Sequence, residues 1–220
     1  MASMAGFSSS TRDSEGKRCR RIVTIGVATT IAEAETLEAA GVDVVLATGM
    51  DAGGHRPSYL DSPEESLVET FALVPAIRDR VKVPVVAAGG IADVRGMRAA
   101  FALGADAVQI GTAFLACEES GAQELHRQRL RANKDGRTVL SRRFTGRLAR
   151  FMPNRILQEL EASESEVLPF PAQSWLTGPL KQAAVENGDA EGMALYSGQG
   201  VPLLKHRNAG ALMDALVAGL

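Results

Sequence analysis

One imidazole stands just past the end of an apolar run. Val42-Asp43-Val44-Val45-Leu46-Ala47 reads as a buried strand, and Thr48-Gly49-Met50-Asp51-Ala52-Gly53-Gly54-His55 follows it directly. His55 is one of three histidines in the chain, and a strand's C-terminal edge is where α/β barrels keep their chemistry. An unperturbed histidine titrates near neutrality, so there it can take a proton or donate to an anionic substrate. The bland reading is a loop histidine satisfied by a backbone carbonyl. Gly53 and Gly54 tip the balance toward function, because residues without a Cβ let a planar ligand approach the backbone. His126, in an expected surface helix, and His206, near a basic C-terminal stretch, read as structural or solvated.

Two further strand ends carry small residues. Gly89-Gly90 follows Val83-Pro84-Val85-Val86-Ala87-Ala88, and Gly111-Thr112 follows the run from Ala105 to Ile110. In barrels a phosphate commonly binds between such loops, held by backbone N–H groups and a helix N-terminus, and the Thr112 hydroxyl can add a bond. Either pair alone is often just a turn. On successive strand ends, beside a strand-end Gly-Gly-His, they point to a phosphate-bearing cofactor. Gln109 either bonds a cofactor ring or faces the barrel interior.

The elements that must position these groups alternate. Ile22–Val27, Val42–Ala47, Val83–Ala88 and Ala105–Ile110 read as strands apolar on both faces. Between them, Thr30 and Glu33 make a capping box ahead of Ile31, Ala34 and Leu37, and Asp93 caps a helix that Gly104 closes. Ser62-Pro63-Glu64-Glu65 looks like a helix start, and Pro75 requires a break or fresh start near Thr70. A helix from about Gly121 to Asn133 follows the fourth strand. The pattern predicts an α/β fold with a parallel sheet covered by helices.

Beyond Asp135 the alternation stops. Arg137, Arg142, Arg143, Arg147, Arg150 and Arg155 crowd a segment that turns acidic over Glu159–Glu166. Residues 135–200 are expected to form a small helical subdomain, its arginines a solvated face or partners for those acids. Residues 201–220 end in a helix with Leu212, Leu216 and Leu220 along one stripe. Residues 1–20, rich in Ser, Arg and Gly without an apolar core, read as a disordered tail and not a secretory signal.

The formal net charge is only -2, which gives no electrostatic case for nucleic acid or an anionic membrane. No apolar run reaches the roughly 18–20 residues that span a bilayer. Cys19 and Cys117 form neither a CxxC nor a metal-ligand spacing, so no metal site is expected and a reduced, cytoplasmic protein is.

Three linked stretches are specific: Asp51-Ala52-Gly53-Gly54-His55, Val85-Val86-Ala87-Ala88-Gly89-Gly90-Ile91-Ala92-Asp93, and Val108-Gln109-Ile110-Gly111-Thr112-Ala113-Phe114-Leu115. Together they resemble the nitronate monooxygenase family, formerly 2-nitropropane dioxygenases, which are FMN-dependent TIM-barrel enzymes. Phe71-Ala72-Leu73-Val74-Pro75, Gly146-Arg147, Asn154-Arg155 and Leu195-Tyr196-Ser197-Gly198-Gln199 extend the resemblance from Ile22 to the C-terminus. It implies His55 as the catalytic histidine near the flavin. It implies Gly89, Gly90, Gly111 and Thr112 around the FMN phosphate, Gln109 close by, and Thr48, Gly53 and Gly54 beside the cofactor. It implies oxidation of a nitronate or nitroalkane with O2 to a carbonyl compound and nitrite, and a substrate domain over 135–200. Thr48 stands where the family usually has Gln, and Asp51 where it has Glu, which alters the expected flavin-ring contacts.

A full barrel takes eight strands in about 250 residues, and this chain supplies the last four β/α units over residues 21–134, plus a covering unit. Half a barrel exposes two edges and an apolar interior. A truncated reading frame accounts for that, and such a chain is expected to lack activity alone; a homodimer that rebuilds the pocket is the alternative. Three competing readings stand beside the monooxygenase. An FMN-dependent enoyl-acyl-carrier-protein reductase shares the Gly-Met-Asp/Glu-Ala-Gly-Gly-His turn. A non-catalytic barrel fragment binds no flavin. A dehydrogenase of the inosine-monophosphate type needs a nucleophilic cysteine loop, and Cys117 lies too late for it.

Overall fold

The computed structural model describes residues 10–12, 18–20, 22–163 and 165–220. Ser10–Arg12 (β1) and Arg18–Arg20 (β2) pair antiparallel, so these parts of the expected tail are extended and paired. The rest of that expectation, over residues 1–9 and 13–17, lies outside the described residues.

The four expected strands are present as Ile25–Ala28 (β3), Val44–Thr48 (β4), Val85–Ala88 (β6) and Ala107–Gln109 (β7). Each pairs in parallel with the next in one four-stranded sheet of order β3-β4-β6-β7. Ile31–Ala39 (α1), Thr70–Arg78 (α2) and Val94–Ala102 (α3) connect them. Alternation along each strand divides two apolar faces. Val45, Ala47, Val85 and Ala87 pack with Ala34, Leu73, Val74, Ile77 and Ala100 of the helices. Leu46, Val86 and Ala88 form a second cluster with Val27, Val44 and Ala107. Each buried Val or Leu contributes about 1.5–3 kcal/mol, and the two faces explain why these strands read as continuous apolar runs.

Local signals hold at two of the expected helix starts. Thr30 accepts from the Glu33 N–H and Asp93 from the Arg95 N–H. Ser62 and Glu65 also make their reciprocal bonds, yet only a turn follows. The Ser66 carbonyl accepts from the Arg56 guanidinium and from the Val68 N–H, and the Thr70 N–H that a continuing helix would send to it goes to Asp51 Oδ2. The helix begins instead at Thr70 and carries Pro75 within it.

Thr112–Leu115 (α4) is a single turn, and Glu124–Ala132 (α5) follows. Residues 135–200 are not purely helical, contrary to the expectation. Val139–Ser141 (β8) and Ala149–Phe151 (β9) join Gly54–His55 (β5) in an antiparallel sheet of order β5-β9-β8. Such three-residue strands are too short to show a period. Arg155–Ala162 (α6), Ala172–Leu176 (α7) and Gly178–Glu186 (α8) supply the helices. Ala209–Val217 (α9) is capped by Asn208 and buries Leu212 and Leu216, whereas Leu220 lies past its end, 79% exposed. Among the described residues no helix is long and apolar enough to cross a membrane.

Candidate active site

The carboxyl ends of β3, β4, β6 and β7 open onto a cavity of about 400 Å³. Thr48, Gly53, Gly54, His55, Gly89, Gly90, Gln109, Gly111 and Thr112 all line it. The parallel register brings them together, since Thr48 pairs with Ala88 and Ala88 with Gln109.

The glycines serve different ends. Gly89 and Gly90 take φ of 118° and 68°, a region closed to most L-residues. A Cβ on Gly89 would also sit 2.6 Å from Thr70 Oγ1. Gly53 lines the cavity, and its missing side chain also serves the chain itself. A Cβ there would meet the Gly198 N at 2.5 Å, so the glycine admits the backbone of the Leu195–Gln199 stretch. At Gly111 a Cβ would meet nothing within 4 Å, leaving open space at the cavity wall.

Asp51 holds the strand end rather than facing a ligand. Its Oδ2 accepts from the Thr70 N–H at 2.9 Å, and the Thr70 hydroxyl donates to the Ala88 carbonyl at 3.1 Å. The Thr112 hydroxyl accepts from the Gly198 N–H at 2.9 Å, which leaves its own proton free to donate. With four residues, α4 is too short to carry a useful macrodipole. An anion here would meet amides and a hydroxyl.

His55 lies on β5, not in a turn. Its backbone pairs with Ala149 of β9, and its ring packs edge-on against Phe170 at 5.6 Å and Tyr196 at 5.9 Å. Its Nε2 is 2.8 Å from Thr145 Oγ1. Burial, then the positive charges of Arg147 and Lys181, push its pKa below the ordinary 6.5. The imidazole is therefore neutral at pH 7.

The arginines divide. Arg143 pairs with Glu161 and Arg155 with Glu159, as the neighbouring acids suggested, whereas Arg142 pairs with the distant Glu64 and Arg155 also with Asp189. Arg147 and Arg150 instead point inward, which corrects the expected solvated face. Arg147 donates to the carbonyls of Arg56 and Ser58, and Arg150 to the Met50 carbonyl and the Thr138 hydroxyl. Arg56 bonds the Thr48 and Thr29 carbonyls, and burial brings it down to about 10, still a cation at neutral pH. These guanidiniums, buried at Arg56 and Arg150 and half-buried at Arg147, fasten the His55 segment to the ends of β3 and β4. His126 is structural: its Nε2–H donates to the Tyr196 carbonyl at 2.8 Å.

Sequence reasoning about the site missed Thr145, Tyr196 and Ser197. The last two line the cavity, and the Leu195–Gln199 match was their only signal.

A cavity at the carboxyl ends of parallel strands, walled by glycine loops and one histidine, defines an α/β protein of the pocket-at-strand-end class. The chain belongs to the nitronate monooxygenase family, whose profile it matches over residues 4–219. It is 40% identical over 200 residues to a probable nitronate monooxygenase of Staphylococcus saprophyticus, covering 90% of this chain and 56% of that protein. With a probable nitronate monooxygenase of Bacillus subtilis it shares 43% identity over 177 residues, covering 80% and 51%. Among solved structures, nitroalkane oxidase from Streptomyces ansochromogenes superposes with a TM-score of 0.83 at 44% identity, covering 90% of this chain and 57% of that one. FabK from Thermotoga maritima gives 0.72 at 34% identity, covering 89% and 60%. The chain thus spans about half the length of the curated relatives it matches.

Proposed function

We propose that this chain carries the histidine-bearing part of an FMN-dependent nitronate monooxygenase, which converts alkyl nitronates and O2 to a carbonyl compound and nitrite. The observation that supports this reading is that Gly89, Gly90, Gly111 and Thr112 share one cavity with His55. The strand order, sequential with the helices packed on one face, supports a β/α barrel whose later units these are. Residues 135–200 are then the covering unit, since Tyr196, Ser197 and Gly198 wall the cavity.

The residues fit the cofactor. A cavity of about 400 Å³ falls in the range of small-molecule sites, roughly 300–1,000 Å³. Gly111 leaves room where a side chain would stand. Gly89, Gly90, Gly111 and the Thr112 hydroxyl would hold the phosphate, with Thr48, Gly53, Gly54 and Gln109 beside the rest of the molecule. Bound FMN would supply the redox chemistry and the reaction with O2. The chain's own part is to bind, orient and handle protons. Arg147 and Lys181, whose charges act on His55, draw an anionic nitronate toward the imidazole. The neutral ring accepts a proton from a neutral nitroalkane.

The test is nitrite release and O2 uptake with an alkyl nitronate, using the chain loaded with FMN. His55→Asn is expected to keep flavin and to lose turnover of neutral nitroalkanes about 10²–10⁴-fold. Flavin binding without nitrite from any nitronate or nitroalkane would sink the reading. The enoyl-acyl-carrier-protein reductase reading, which rests on the Gly49-to-His55 turn, would then be tested by NAD(P)H oxidation with an enoyl thioester.

A further inference from the structure

The Thr145 hydroxyl is fully engaged. It is buried, 3% exposed, and its Oγ1 lies 2.8 Å from His55 Nε2. It donates to the Arg147 carbonyl at 3.1 Å and accepts from the Arg147 N–H at 3.3 Å. A hydroxyl has one proton and two lone pairs. With the proton on the carbonyl and one lone pair on the amide, only the second lone pair remains for His55. Turning the proton toward the ring would strip the Arg147 carbonyl of the only donor it has among the described residues.

From this geometry we infer that Thr145 is a positioning residue: it fixes His55 as the Nε2–H tautomer and leaves Nδ1 as the proton acceptor. A neutral imidazole carries a single N–H, and Nε2 must hold it to donate to Thr145. Among the described residues Nδ1 has no hydrogen-bond partner. Phe170 and Tyr196 bracket the ring edge-on and oppose a flip that would exchange the two nitrogens.

The tautomer stands on geometry alone, and its use rests on the function proposed above. With a neutral nitroalkane, the Cα–H bond breaks and its proton goes to Nδ1. The electron pair moves onto the nitro oxygens, giving the nitronate. The resulting imidazolium keeps its Nε2–H on Thr145. No ring rotation is needed between the two protonation states.

The experiment is ¹⁵N NMR of the imidazole nitrogens in the folded chain near neutral pH, with His55 assigned by difference from His55→Asn. The wild type is expected to show Nε2 protonated and Nδ1 bare. Thr145→Val keeps the shape and removes the acceptor, and the tautomer preference should fall about fivefold, the worth of one net hydrogen bond. Thr145→Ser should restore it. A wild-type spectrum dominated by Nδ1–H overturns the inference whether or not the variants fold, and so does an unchanged ratio in a folded Thr145→Val. Neither result bears on nitronate turnover, so failure here is distinct from failure of the functional reading. Where turnover is present, Thr145→Val should lower kcat for neutral nitroalkanes more than for preformed nitronates, which need no deprotonation.

Discussion

Thr112 and Gly198 are joined across 86 residues by one hydrogen bond, from the Gly198 N–H to the Thr112 hydroxyl at 2.9 Å. It ties the strand end after β7 to the Leu195–Gln199 stretch and so closes one wall of the cavity. Thr112→Val leaves the Gly198 amide without this acceptor and removes the donor proposed for the FMN phosphate. FMN affinity should fall about 10–100-fold, as a bond to a charged group is worth about 1.5–3 kcal/mol. Thr112→Ser should recover most of it. Fluorescence titration with FMN measures both; equal affinities for Val and wild type would remove Thr112 from the site.

Gly111 and Gly89 should separate binding from stability. A Cβ at Gly111 meets nothing within 4 Å, so Gly111→Ala should melt like the wild type while weakening FMN by about tenfold or more, ~1.4 kcal/mol. Gly89→Ala places a Cβ at a φ of 118°, 2.6 Å from Thr70 Oγ1. It should cost about 1–3 kcal/mol of folding stability, read by urea unfolding. A stable Gly89→Ala, or a Gly111→Ala that binds FMN normally, would contradict the assignments.

The pH profile for neutral nitroalkanes should report His55. Burial, Arg147 and Lys181 all hold its pKa below 6.5, so kcat/KM should rise with pH through an inflection below that value. Arg147→Gln removes one of the two charges, and the inflection should move up toward 6.5. An inflection above 6.5 in the wild type would mean that the ring is stabilised as a cation.

Stability should follow the same sign through His126. Burial lowers its pKa from 6.5, with the Tyr196 carbonyl bond opposing. The unfolded chain therefore binds the proton more readily, and stability is lost as pH falls from 6.5 toward the folded value. Above 6.5 this group contributes no slope. His126→Gln should flatten the dependence without abolishing it, because His55 shifts in the same direction. Urea midpoints across pH 5–8 test this, and an unchanged slope would count against it.

What the sequence made legible followed from chemistry visible in a short window. Val44–Thr48 and Val85–Ala88 bury residues on both faces, so they read as apolar runs of strand length. Thr30 and Asp93 announced their helices through side-chain acceptors. Gly89-Gly90 and Gly111-Thr112 marked strand ends that the parallel register then gathers. The Gly54–His55 strand was not legible, because its partner β9 is nearly a hundred positions away and only three residues long. The inward turn of Arg147 and Arg150 was hidden for a related reason. Their partners are main-chain carbonyls, which leave no trace in side-chain identity. Thr145 reaches His55 across 90 residues and belongs to no local pattern.

The central claim is that this cavity holds FMN beside His55. It is tested most directly by the visible absorption spectrum of the purified chain, as isolated and after titration with FMN. The shifted bands of bound flavin should appear, saturating at one FMN per site and weakened in Gly111→Ala. A folded chain whose added FMN keeps the spectrum of free flavin at every concentration would contradict it.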